Sequence, residues 1–77
     1  MEKNKHLIER RQKFNEQIGK HKILQLFLKM MMSTKDVHED REEISACLAC
    51  NKMHSDMIIF LKEQISGIDE FLEKDSN

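Results

Sequence analysis

Apolar and polar positions alternate along this chain with helical, not strand, spacing. Leu7, Phe14, Ile18, His21, Leu24, Leu28 and Met31 follow one another at steps of three, four or seven. That spacing places them on one face of a helix covering about residues 2–32. The first half of this helix has a narrow apolar stripe and is otherwise charged. The second half, Ile23–Met32, reads ILQLFLKMMM, and only Gln25 and Lys29 interrupt its large apolar side chains. A helix apolar nearly all round needs cover on several sides. The cover must come from the rest of the chain, a second copy or a partner. Gly19 falls inside the stripe and reads as a weak point, not an end.

Ser33-Thr34-Lys35-Asp36 breaks the pattern, giving a turn over 33–36. Asp36 suits an N-cap, and Glu39 stands three places on to complete a capping box. Asp40, Glu42 and Glu43 bring negative charge to the positive end of the following helix. Apolar positions resume at Val37, Ile44, Cys47, Leu48 and Cys50, then at Met57–Leu61, then at Ile65, Ile68, Phe71 and Leu72. Residues 37–50 therefore form a second helix and residues 55–73 a third element. Between them, Asn51 is able to end a helix and Ser55 to cap one, although no glycine or proline forces a break.

Two all-α architectures fit a single 77-residue domain. In one, residues 37–73 form one helix folded back on the first as a hairpin. A turn at 34–35 then sets residue i opposite residue 69 − i. Ile23–Met32 faces 37–46, and Met57–Leu61 faces 8–12, so both apolar clusters meet charged segments. Such a hairpin needs to dimerise into a four-helix bundle. In the other, slightly favoured, the chain breaks near 51–55, and a third helix covers the apolar half of the first. The result is a small antiparallel three-helix bundle with residues 2–14 as a basic arm.

Composition narrows the class. The chain has no proline and two glycines, and Val, Thr, Tyr and Trp together number two, Val37 and Thr34, whereas Leu, Glu, Lys, Met and Gln dominate: helix-forming usage. A core this small seldom supplies more than about 3–5 kcal/mol, so a metal, a disulfide or another subunit is expected. The N-terminal segment lacks the apolar stretch of a secretory signal, and no run approaches the ~20 residues needed to cross a bilayer. Two cysteines without a signal point to free thiols in the cytoplasm. The net charge of −1 hides a division: residues 1–35 carry +6 and residues 36–77 carry −7. Apposed halves neutralise each other.

Four constellations bear on function. Leu24, Phe27, Leu28, Met31, Met57, Phe60 and Leu61 make an apolar face for another protein or a homo-oligomer. Met30–Met32 and Met57 add the adaptable side chains that accept varied apolar partners. Lys3, Lys5, Arg10, Arg11 and Lys13 give an alternative as a nucleic-acid contact, although Glu2, Glu9 and Glu16 are interleaved. Cys47-x-x-Cys50-x-x-x-His54, with His21 across the hairpin, supplies a Cys2His2 zinc alternative. No cofactor is otherwise implied. No phosphate loop, metalloprotease motif or oriented nucleophile–base pair is present, so the expectation is a non-catalytic interaction module: an adaptor, a chaperone-like protein or a regulator.

Overall fold

A computed structural model describes the backbone of residues 2–76 and the side chains of residues 4–75. It contains two helices, α1 (Glu2–Ser33) and α2 (Arg41–Ser76), packed antiparallel as a hairpin. Among the described residues there is no strand. The hairpin is a rod, with extents of 58 × 14 × 12 Å and a radius of gyration of 17.5 Å. A compact domain of this length would have about 11 Å. Little of the chain is therefore interior. Among the described residues the buried apolar side chains are Ile18, Cys47, Ile58, Leu61 and Ile68.

The helices meet along a heptad seam. On α1 the buried and half-buried positions are Asn4, Leu7, Phe14, Ile18, His21, Gln25, Leu28 and Met32. On α2 they run Ile44, Cys47, Asn51, His54, Ile58, Leu61, Ile65, Ile68 and Leu72, in steps of three and four. Alternating threes and fours keep one narrow edge of each helix against the other. The best-buried layer is Ile18, Ile58 and Leu61, with Phe14 and Ile65 packed on it.

Several expectations are corrected. Residues 51–55 are helical and α2 is continuous, so the chain forms two helices where three were favoured. Asn51 and Ser55 neither end nor start a helix: the Gln25 amide donates to the Asn51 carbonyl at 3.1 Å and to Ser55 Oγ at 2.7 Å. Residues 4–14 are not a free arm but lie along the end of α2, with Asn4 bonded to Asp75 and Arg11 paired with Asp69 at 2.7 Å. The register also differs from 69 − i by about one heptad, since His21 meets His54 and Lys35 pairs with Glu43. The connection is wider than a turn at 34–35 allows. Met57–Leu61 consequently lies beside Phe14 and Ile18, and its seam residues are covered within the hairpin.

That wider connection has two parts. α1 ends without a left-handed cap, as no described residue has positive φ. Ser33 Oγ and Thr34 Oγ1 instead donate back to the carbonyls of Met30 and Met31, and the Thr34 and Lys35 amides donate to Met31 and Met32. These bonds occupy carbonyls that the helix end leaves open. Asp36 then caps the following turn, with Oδ1 accepting from the amides of His38 and Glu39 at 2.8 and 2.9 Å. Those two amides hold its carboxyl below the usual carboxylate range, Glu39 contributing most. The reciprocal acceptor of the capping box is Asp40, not Glu39: Asp40 Oδ2 takes the Asp36 amide at 2.9 Å. Lys35 is bonded to Glu43, which raises its pKa first through that hydrogen bond and then through charge.

Candidate protein-binding face

In an antiparallel helix pair, the residue just before each seam position lies on the same side of both helices, because the two are wound in opposite senses when viewed from one end. Near the chain ends this side carries His6, Arg10 and Lys13 of α1 and Phe71 of α2, which together line one shallow depression. Nearer the connection the same rows carry Leu24, Phe27 and Met31 on α1, and Cys50, Met53, Met57 and Phe60 on α2. All seven are exposed: Phe27 is 57 % accessible, Phe60 52 % and Met57 44 %. Met53, Met57 and Phe60 border an open apolar hollow with Asp56 at its edge. The opposite side, one residue after each seam position, is mostly polar, with Lys22, Lys29, Lys52, Lys62, Ser66 and Asp69 exposed there, but it also exposes Ile8, Leu26, Leu48 and Ile59, spread along its length.

Of the seven residues assigned to a partner face from sequence, the hairpin brings Leu24, Phe27, Met31, Met57 and Phe60 to one exposed side. Leu28 and Leu61 belong elsewhere. Leu28 is half-buried in the seam and Leu61 is the best-buried apolar residue, 3 % accessible. In the α1 stripe Gln25 and Met32 take the seam positions expected for Leu24 and Met31. Apolar periodicity had stepped over Gln25 because it is polar, whereas its amide is satisfied across the seam. Cys50 and Met53 were missed as members of the face. Their spacing of three, four and three with Met57 and Phe60 was the available signal. Met30 is exposed beside the face, and Met32 is turned inward.

The proposed metal ligands do not converge. His21 and His54 touch, with Nδ1 to Nδ1 at 2.7 Å and ring centroids 5.0 Å apart. A hydrogen bond at this contact requires one ring to carry a proton on Nδ1 and the other to accept it. Cys47 is buried in the seam, Cys50 is exposed outside it, and both are free thiols. Steps of three and seven residues fall on one face only approximately. The seam admits Cys47 and His54 and leaves Cys50 on the apolar side. Among the described residues no three His, Cys, Asp or Glu side chains are grouped to hold a metal ion.

The basic set is also divided. Arg10 and Lys13 share the side of Phe71, Arg11 is engaged by Asp69, and Lys5 is exposed on the other side. The Lys3 side chain lies outside the described residues. Among the described residues no helix is long and apolar enough to cross a membrane. No family model matches this chain, and neither a curated protein nor a solved structure is found to be similar to it.

Proposed function

We propose that the chain is a non-catalytic helical interaction module whose working surface is the exposed face of Leu24, Phe27, Met31, Met53, Met57 and Phe60. One observation carries this reading. The hairpin satisfies its own seam yet leaves these large apolar side chains together on one side, open to water. A contiguous exposed apolar patch on a small chain marks an interaction site. Its driving force is burial of apolar area at about 25 cal/mol per Å². The methionines give the face unbranched, polarizable side chains that adapt to a facing helix. A hairpin of this kind is completed either by another protein's helices or as half of a four-helix bundle.

The test is substitution at the two aromatic residues. Phe27→Asp and Phe60→Asp each abolish assembly while leaving the chain helical, as read by sedimentation velocity and circular dichroism. Variants that keep both the assembled size and the fold would remove this face from consideration.

A further inference from the structure

We propose that His21 and His54 form a two-histidine clamp for one divalent transition-metal ion, Ni(II) or Cu(II) in preference to Zn(II). The clamp ties α1 to α2 inside the seam and does not depend on the apolar face. The four-ligand zinc arrangement fails because Cys47 is buried while Cys50 is exposed outside the seam. The two rings alone do converge, from positions 33 residues apart in sequence. Their Nδ1 atoms stand 2.7 Å apart, with the ring planes tilted by 50°. A neutral imidazole has one lone-pair nitrogen. Two Nδ1 lone pairs aimed at one another need an electrophile between them. A proton on one Nδ1 serves, and so does a metal ion, both rings then carrying their proton on Nε2.

Geometry selects the ion. Metal–nitrogen bonds of about 2.0–2.1 Å set two nitrogens about 2.9 Å apart at a right angle and about 3.3–3.4 Å apart at a tetrahedral one. The observed separation is nearer the right angle, so little ring movement admits the ion. Square-planar and tetragonal nitrogen sites are those of Cu(II) and Ni(II), and imidazole suits both. The rings also sit between two layers that fix the helices. On the connection side, Gln25 bonds to the Asn51 carbonyl and to Ser55 Oγ. On the other side lies the best-buried layer, Ile18, Ile58 and Leu61. Ligands carried on helices pinned above and below are already placed for binding. Both rings are half-buried, which leaves water a path to the remaining coordination positions. No Lys, Arg, Asp or Glu stands three or four residues from either histidine, so no fixed charge shares their helix faces. Lys20, Lys22 and Lys52 are exposed beside them, as is Asp56. Their net positive charge and the two-donor set make the clamp weaker than a closed site.

Ni(II) alone is the probe, because free thiols do not reduce it. The chain melted with rising Ni(II) should show a higher unfolding midpoint that saturates at one ion per chain. In NMR spectra the ring signals of His21 and His54 should broaden at lower Ni(II) than those of His6 and His38. His21→Leu/His54→Leu removes both nitrogens and leaves apolar side chains in their place. It should bind at least about tenfold more weakly, since loss of even an outer-shell partner costs a metal site that much. Cys50→Ser should bind as wild type does. An equal midpoint rise in the double leucine variant would overturn the clamp and mean an adventitious ion only. Loss of the response in Cys50→Ser would overturn it in favour of a thiol site. Broadening of His6 or His38 ahead of the pair, or no response at about millimolar Ni(II), the weak end of measurable affinity, would overturn it as well.

Discussion

The two halves of the hairpin are built with opposite sidedness. In the half away from the connection, where residues 4–18 lie against 58–75, the seam is greasy and the outside is mostly charged: Phe14, Ile18, Ile58, Leu61 and Ile65 pack together beneath an exterior of Lys, Arg and Glu in which Ile8, Ile59, Phe60 and Phe71 are the exposed apolar exceptions. Closer to the connection, two consecutive seam layers are polar, His21 with His54 and Gln25 with Asn51 and Ser55, while Ile23, Leu24, Leu26 and Phe27 point outward. Ordinary helical hairpins resemble the first half. The second places hydrogen bonds where grease would stabilise and grease where water would do no harm to charge. Polar layers inside a helix pair fix register and orientation at a cost in stability. Outward grease stabilises only when something covers it.

The sharpest way to break this contrast is to truncate neighbouring residues that face opposite ways. Leu61→Ala removes a residue buried in the greasy seam and should cost about 2–5 kcal/mol in urea unfolding, as large-to-small core changes do. Phe60→Ala, one residue earlier and half exposed, should stay within about 0.5 kcal/mol in the dilute chain, although it weakens assembly. Comparable losses from the two would mean that the face is already structural in the single hairpin.

The next largest effect sharpens the polar half. His21→Leu leaves the His54 ring nitrogen facing an apolar side chain and should cost about 1 kcal/mol. The double variant His21→Leu/His54→Leu removes both ring nitrogens and should be at least as stable as wild type, because paired polar groups contribute little net over well-packed apolar ones. A double-mutant cycle by thermal unfolding measures the coupling, expected at about 0.5–3 kcal/mol. Additive single effects would mean that the 2.7 Å contact couples nothing.

What the sequence disclosed follows the same division. The greasy half was legible because Leu7, Phe14 and Ile18 keep an apolar period that α2 answers with Ile58, Leu61, Ile65 and Ile68. The excess of outward grease after residue 22 was legible too, since no single neighbour hides ILQLFLKMMM. The polar layers were not. Gln25, Asn51 and Ser55 read locally as an interruption, a helix end and a helix start, and only the facing helix turns them into seam residues. Register was lost for a related reason. A turn placed at 34–35 ignores the full turn from 36 to 40 that Asp36 and Asp40 organise. That displaces the expected partners by about a heptad and set Met57–Leu61 against charge.

The smallest effect concerns that same connection and depends on pH. The Asp36 carboxylate accepts two amides, and its folded-state pKa lies below the value it has in the unfolded chain. Such a group stabilises the fold fully above the unfolded value, and its contribution is lost as pH falls through the folded one. Asp36→Asn keeps a side-chain oxygen acceptor but cannot titrate, so it isolates the charge from the cap. Melting wild type and Asp36→Asn side by side from pH 7 downward should show wild type ahead at neutral pH and the gap closing below about pH 4, the ordinary carboxylate range. The other carboxylates titrate in both chains and cancel in the difference. A gap that held constant to pH 2 would mean that the charge on Asp36 does no work in the connection, and that its side-chain oxygen holds the turn, and with it the heptad register between the two halves, as a neutral acceptor for the His38 and Glu39 amides.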